Sequence, residues 1–194
     1  PGFLITLDYT VQYIILLAVA FVVTFVLTWM TWKEEGEENS KKKPVNPKEV
    51  GAPVKGNVIA RTDIPDATFA SGVLGDSVGI EPAKGIVVAP FDGEITSTTD
   101  TKHAVGIRNS ENMELLIHVG VDTVKMNGEG FEMFVKEGDT VKKGQKLITF
   151  DIKKIEAAGF RATTAVLLTN SDEFDSFKVV KTGNTEVEET ILSI

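Results

Sequence analysis

Hydrophobic residues are concentrated in one uninterrupted run near the start of the chain. From Tyr9 to Trp32 no residue is charged, and no polar stripe recurs at the helical repeat. As a helix this segment would extend about 36 Å, whereas the hydrocarbon core of a bilayer is about 30 Å thick. Tyr and Trp residues flank the run, as is typical at a membrane–water interface. The pattern predicts a transmembrane helix within residues 1–32, with membrane contact through residues 9–32.

The pattern changes abruptly to a polar segment at residues 33–49. This stretch contains five Lys, five Glu, Pro44 and Pro47 but no aromatic residue. Such a composition cannot bury enough apolar surface to offset the entropy lost on ordering, so a flexible charged linker is predicted. Lys33 and the three lysines at 41–43 favour the cytoplasmic side of the membrane for residues 33–194.

From residue 50 to residue 194, short runs rich in Val, Ile, Thr and Phe alternate with glycine-containing turns. Closely spaced strands of this kind predict an all-β domain, an antiparallel β-sandwich or barrel. One short helix is predicted from Lys153 to Ala158, ended by Gly159.

Two stretches of this domain repeat one another. Ala52-Pro-Val-Lys-Gly returns 37 residues later as Ala89-Pro-Phe-Asp-Gly, and Ser77-Val-Gly-Ile parallels Ala104-Val-Gly-Ile. Pro followed three residues later by Gly is a turn device that leads into a strand. The sequence therefore predicts an internally duplicated hairpin motif.

Charge and cysteine content narrow the chemistry. The formal net charge is −8, which argues against a nucleic-acid surface because phosphate binding needs basic residues. The chain has no cysteine, so disulfides, thiolate metal sites and cysteine nucleophiles are excluded. Histidine is the other side chain whose charge ordinarily changes near neutral pH, and the chain contains two, His103 and His118.

The two histidines are predicted to face each other across a hairpin. The polar residues 109–112 indicate a four-residue loop between two strands, and pairing Arg108 with Met113 sets His103 opposite His118. Leu115, Ile117 and Val119 would then turn toward the core.

Four interpretations of this pair remain open from the residues alone. The pair could be purely structural, or it could bind a metal, but neither His-x-His nor His-Glu-x-x-His spacing is present. Ser-His-Asp hydrolysis is less favoured because there is no Gly-x-Ser-x-Gly motif. In the fourth interpretation one imidazole accepts a phosphoryl group and the other donates a hydrogen bond to its oxygens.

Longer motifs resemble the glucose-type enzyme IIA domain of the bacterial phosphoenolpyruvate-dependent sugar phosphotransferase system. The resemblance covers nearly all of residues 50–185. The matching stretches are Ala52-Pro-Val-Lys-Gly, Ile64-Pro-Asp-Ala-Thr-Phe-Ala, Gly75-Asp-Ser-Val-Gly-Ile-Glu-Pro, Val88-Ala-Pro-Phe-Asp-Gly, Thr101-Lys-His-Ala-Val-Gly-Ile, Glu114-Leu-Leu-Ile-His-Val-Gly-Val-Asp-Thr-Val, Gly128-Glu-Gly-Phe and Val135-Lys-Glu-Gly-Asp-Thr-Val-Lys-Lys-Gly-Gln-Lys-Leu-Ile-Thr-Phe-Asp.

The resemblance implies a phosphotransferase that uses a phosphohistidine and needs no cofactor or metal. His118 would accept the phosphoryl group from the histidine-containing phosphocarrier protein and pass it to a cysteine of a IIB domain. His103 would stabilise the phosphoryl group, and Thr101 would hydrogen-bond nearby. The partner-binding positions implied by the resemblance are Phe69, Val73, Leu74, Leu116, Asp66 and Asp122.

The same resemblance implies a domain organisation for the chain. Residues 1–32 look like the end of a IIC permease domain, as in sucrose, trehalose and β-glucoside transporters. Residues 33–49 would be the linker and residues 50–194 the IIA domain at the cell membrane. The alternative function is a membrane-tethered regulatory module that binds other transporters or enzymes through the same face. A lipoyl or biotinyl carrier is disfavoured because no lysine lies in the tight hairpin sequence that such carriers require. A zinc endopeptidase is disfavoured because the chain has no His-x-His pair.

Overall fold

The computed structural model describes residues 14, 17–26, 28 and 48–194. The chain up to residue 45 and the chain from residue 46 onward form separate units and are considered in turn. Residues 17–26 are helical, and the side chains of Phe21 and Phe25 are exposed. Within the described ranges, no helix is both long enough and apolar enough to cross a bilayer. The predicted transmembrane helix, which lies partly outside those ranges, is therefore not confirmed, and all but the last two residues of the predicted linker lie outside them.

The second unit is all-β and antiparallel, as predicted. Its first strand begins at Glu49, one residue before the predicted start of the domain. The strands are β1 Glu49–Gly51, β2 Gly56–Ile59, β3 Asp76–Pro82, β4 Ile86–Val88, β5 Gly93–Thr98, β6 Ala104–Arg108, β7 Glu114–Val121, β8 Phe131–Met133, β9 Thr140–Val141, β10 Lys146–Phe150, β11 Arg161–Leu168, β12 Lys178–Val179, β13 Gly183–Thr185 and β14 Thr190–Ser193. One sheet has the order β13-β2-β3-β11-β7-β6-β5-β9, and two smaller sheets have the orders β1-β14-β12 and β4-β10-β8.

The duplicated hairpin predicted from the sequence occupies equivalent places on either side of the central pair β11–β7. Hairpin β2–β3 lies beside β11, and hairpin β5–β6 lies beside β7. The two copies also contact each other reciprocally: the Gly51 N–H donates to the Pro90 carbonyl (3.1 Å) and the Val88 N–H to the Pro53 carbonyl (2.8 Å). The two donors are 37 residues apart and so are the two acceptors, so the repeat has an approximate twofold symmetry.

The structure extends this repeat beyond what the sequence predicted. The Gly144 N–H donates to the Ala89 carbonyl (2.9 Å), and the Glu188 N–H donates to the Ala52 carbonyl (3.0 Å). Gly144 and Glu188 share a positive φ, +82° and +66°. A glutamate in the left-handed region is uncommon. A comparison of residue types alone therefore does not show that Glu188 corresponds to Gly144.

A single hydrophobic core draws on strands of all three sheets and includes the fully buried side chains of Phe91, Ile107 and Leu147. In β7 the alternation follows the prediction, with Leu115 and Ile117 at most 1% exposed. The opposite face of the large sheet has its own small apolar cluster, formed by Ile64, Phe69, Ala165 and Leu167.

Two short helices complete the domain. Helix α1 (Ala67–Ser71) was not predicted, since five residues are too few to show a helical repeat. Helix α2 (Ile152–Ala157) confirms the predicted helix within one residue. The carboxylate of Asp151 accepts from the Lys154 N–H (3.1 Å) at its beginning, and Gly159 has φ +85° after its end.

One buried hydroxyl has no hydrogen-bond partner among the described residues. Ser77 in β3 is 3% exposed, and its Oγ is unpaired. Removing an unsatisfied buried polar atom relieves its desolvation penalty. We expect Ser77→Ala to raise the free energy of unfolding by about 1 kcal/mol, or to leave it unchanged. Urea denaturation measures this; a loss of more than about 1 kcal/mol would contradict it.

Candidate active site

The hairpin that carries both histidines has a different register from the one predicted. Arg108 pairs with Glu114, and His118 lies opposite Ala104 rather than His103. The loop is one residue longer than expected because the side-chain oxygen of Asn109 accepts from the N–H groups of Glu111 and Met113, both at 2.9 Å. These bonds favour a five-residue turn, and the prediction of directly opposed histidines is wrong.

The histidines nevertheless meet, because the chain bends just before β6. Lys102 has φ +60°, and His103 immediately precedes the strand. The His103 carbonyl accepts from the Val119 N–H (2.7 Å), which keeps its backbone beside β7. The ring centroids of His103 and His118 are 4.7 Å apart at an interplanar angle of 81°. The edge of one imidazole therefore points toward the face of the other.

The orientation of His118 is fixed by the backbone that follows it. Its Nδ1 lies 2.9 Å from the carbonyl oxygen of Gly120. A carbonyl can only accept, so Nδ1 carries the proton and Nε2 of the neutral ring keeps its lone pair. Gly120 has φ +80°, and a Cβ there would lie 2.3 Å from Cγ2 of Thr123. Gly120 was not predicted as a site residue, although it stands two positions after the histidine in the matching motif.

His103 is 6% exposed and is held by threonines. The Thr101 hydroxyl oxygen lies 2.6 Å from its Nδ1. Thr99, which was not predicted, donates to the Ala104 carbonyl (3.3 Å) and accepts from the Ala104 N–H (3.2 Å), so it secures the bend beside the ring. When the Thr101 hydroxyl donates to Nδ1, the remaining proton of neutral His103 is on Nε2.

Both imidazoles are held neutral near pH 7. Burial, and to a smaller extent repulsion from the His118 charge, lower the pKa of His103 from 6.5 to about 4. Burial also lowers the pKa of His118, although the hydrogen bond to Gly120 and the charge of Asp66 act in the opposite direction. A neutral imidazole with an unprotonated nitrogen is the nucleophilic form.

An apolar wall borders the pair. The ring of Phe69 in α1 lies 5.0 Å from that of His118, and Leu116 packs against the same small cluster. Val73 and Leu74 follow α1 and are 76% and 45% exposed. Exposed apolar side chains beside a reactive group are typical of an interaction surface.

The two acidic residues have different settings. The Asp66 carboxylate caps α1 by accepting from the N–H groups of Thr68 (2.7 Å) and Phe69 (3.1 Å). Asp122 is exposed, has φ +62° and pairs with Lys125 (2.9 Å). In the described part of the chain, no group of three or more His, Asp or Glu side chains is placed to hold a metal ion.

A search of protein-family models matches residues 48–174 to the phosphoenolpyruvate-dependent sugar phosphotransferase system, EIIA 1. This match covers more than half of the chain. The chain belongs to the glucose-type EIIA family. It is therefore a phosphotransferase component of that system.

Individual relatives agree with this assignment of the EIIA domain. The glucose-specific EIIA component of Bacillus cereus is 44% identical over 147 residues, which covers 73% of this chain and 89% of that protein. The glucose permease IIA of Mycoplasma capricolum superposes with a TM-score of 0.70 and 32% identity, covering 74% of this chain and 93% of that structure.

Fused relatives are much longer than this chain. The β-glucoside-specific EIIBCA component of Bacillus subtilis is 40% identical over 145 residues, but the matched region spans only 24% of its length. The glucose-specific EIICBA component of Staphylococcus saprophyticus is 43% identical over 141 residues, or 21% of its length.

The lowered pKa of His103 predicts a pH dependence of stability in this EIIA domain. Between pH about 4 and 6.5 the unfolded chain binds a proton at His103 that the folded domain does not, so the free energy of unfolding falls as the pH falls through that window. The limiting slope is about 1.4 kcal/mol per pH unit for one proton. Urea denaturation at several pH values measures it, with His103→Gln as the control. An identical slope in the control would contradict the assignment to His103.

Proposed function

We propose that this EIIA domain accepts a phosphoryl group on Nε2 of His118 from the histidine-containing phosphocarrier protein. The group then passes to a cysteine of a IIB domain and on to an incoming sugar. The observation that carries this proposal is the hydrogen bond from Nδ1 of His118 to Gly120, which leaves Nε2 free beside a second neutral imidazole. Membership of a family of phosphotransferase components supports the same reaction.

In the first transfer, the Nε2 lone pair of His118 attacks the phosphorus held by the carrier's phosphohistidine. The new N–P bond forms as the carrier's N–P bond breaks, and the carrier's imidazole leaves with the electron pair. The Nδ1 proton remains on the ring and stays hydrogen-bonded to the Gly120 carbonyl. The phosphorylated ring of His118 is therefore cationic. In the second transfer a cysteine thiolate attacks the phosphorus, the N–P bond breaks and neutral His118 is restored.

His103 is proposed to stabilise the transferred group through hydrogen bonding. With Nδ1 accepting from the Thr101 hydroxyl, its Nε2–H is available to a phosphoryl oxygen. The acceptor nitrogen of His118 and the donor N–H of His103 are in position before the partner arrives. Such positioning accounts for much of the catalysis of phosphoryl transfer. The lowered pKa of His103 makes it a neutral donor in the domain before phosphorylation.

We propose that both partner proteins dock on the apolar wall around the histidines. Phe69 and Leu116 border the rings, while Val73 and Leu74 offer exposed apolar surface. Asp66 and Asp122 would supply negative charge to basic groups of the partners. Covering this surface would exclude water from the phosphorylated ring, which protects the N–P bond from hydrolysis.

We further propose that the chain is the C-terminal part of a fused transporter. Residues 1–32 would be the end of a IIC permease domain, residues 33–49 a linker and residues 50–194 the EIIA domain on the cytoplasmic side of the cell membrane. Support comes from the uncharged run between Tyr9 and Trp32 and from relatives that join EIIA to EIIB and EIIC. Sequence upstream of Pro1 with further apolar spans and a IIB cysteine would test this organisation.

The first test of the relay is labelling by phosphoenolpyruvate in the presence of the general phosphotransferase proteins. We expect one phosphoryl group per chain, labile in acid and stable in base, as a phosphohistidine is. His118→Ala should lose the label completely because the acceptor nitrogen is gone. Retention of the label in this variant would contradict the proposal.

The second test separates the two histidines. In His103→Gln we expect His118 still to be phosphorylated, while onward transfer falls by about 100-fold or more, which is typical for loss of a positioned polar group. Rapid-quench measurement of transfer to a purified IIB domain provides the rate. Onward transfer at the wild-type rate would remove the proposed role of His103.

A further inference from the structure

The segment between β2 and β3 is seated tightly on the large sheet beside His118. Gly79, Ala165 and His118 lie in one row across β3, β11 and β7. A Cβ at Gly79 would lie 2.9 Å from Cγ1 of Ile64, so this segment packs directly on β3. Gly79 and Ala165 thus make room for the segment that brings Phe69 to the imidazole.

At the beginning of α1, the segment depends on one carboxylate. A helix of five residues forms few internal hydrogen bonds, so its terminal N–H groups need other acceptors. Asp66 supplies one oxygen to the N–H groups of Thr68 and Phe69. The second of these bonds holds the backbone of the residue whose ring touches His118.

At its end, α1 is closed by Gly72, whose φ is +78° and whose N–H donates to the Phe69 carbonyl (3.3 Å). The Arg61 guanidinium packs against Gly72 and pairs with Asp76 in β3 (3.5 Å). Both ends of the helix are therefore fixed, and the ring of Phe69 has little freedom to leave His118.

Asp66 also brings charge to His118. The α1 segment places the Asp66 charge near His118, whereas on the hairpin side the charge of His118 acts on the pKa of His103. Asp66 raises the pKa of His118 and thus opposes the effect of burial. A negative charge that favours the protonated ring acts in the same direction on the positive ring of phosphohistidine, as distinct from its negative phosphoryl oxygens.

We propose that Asp66 is a positioning residue for the phosphoryl transfer: its carboxylate holds Phe69 against His118 through the helix cap and stabilises the cationic imidazole electrostatically. This inference rests on the proposed function, because it assumes that His118 is the acceptor. It assigns Asp66 a role within the domain before any partner has docked.

Two substitutions separate the cap from the charge. Asp66→Asn keeps an oxygen that can cap the helix but removes the charge, whereas Asp66→Ala removes both. Asp151→Ala is the matched control, since Asp151 caps the other short helix, whose buried residue Ile155 belongs to the main core. The full 194-residue chain, in detergent, is used throughout.

Hydrogen exchange of the Phe69 amide reports the cap, and an NMR titration of His118 reports the charge. We expect Asp66→Ala to speed this exchange about tenfold, the size of a lost helix cap, and Asp66→Asn to restore most of the protection. Both variants should lower the pKa of His118 below that of the wild type. Asp151→Ala should change neither measurement.

Phosphorylation of the same variants gives the functional reading. We expect the rate of phosphoryl uptake to fall about tenfold in Asp66→Ala and less in Asp66→Asn. The inference is overturned if the Phe69 amide stays protected in Asp66→Ala, or if the pKa of His118 is unchanged in both Asp66 variants.

These outcomes are distinguishable from failure of the proposed function. If His118→Ala retained the label, the acceptor assignment would fall whatever the Asp66 variants did. If His118 alone were labelled and the exchange and titration were unaffected by Asp66→Ala, only the role of Asp66 would be lost.

Discussion

The site depends on one hydrogen bond, from Nδ1 of His118 to the carbonyl of Gly120. It fixes the tautomer of the ring, its orientation and the availability of Nε2. The carbonyl can turn back to the ring because Gly120 adopts a positive φ in a place too narrow for a side chain. The conformation of one glycine thus determines which nitrogen of His118 is left unprotonated.

The burial of His103 adds a second constraint on the site. His103 is almost fully enclosed and has a pKa lowered to about 4, so it stays a neutral hydrogen-bond donor rather than a competing cation. His118 lies in the central strand β7 and His103 lies just before the neighbouring strand β6, which would give the proposed phosphoryl transfer the fixed geometry it requires. The α1 segment, with Phe69, adds an apolar side to the pair.

Much of the architecture follows from local pattern. Alternation in β7 predicted which side chains are buried, and the turn residues around Gly159 predicted the end of helix α2. Helix α1 was missed because five residues carry no periodic signal, although Asp66 and Gly72 are ordinary beginning and end residues of a helix. The second part of the repeat was missed because Glu188 takes the conformation that Gly144 has in the other copy.

The sequence by itself determined the β class of the domain, the choice of His103 and His118 as candidate residues and the family resemblance, because these depend on residue types and their order. Tertiary structure alone decided how His103 reaches His118. The turn held by Asn109 shifts the hairpin by one residue, and the bend at Lys102 brings the ring back to its partner. Such a shift depends on side-chain hydrogen bonds and on a positive φ, which the alternation of apolar residues does not encode.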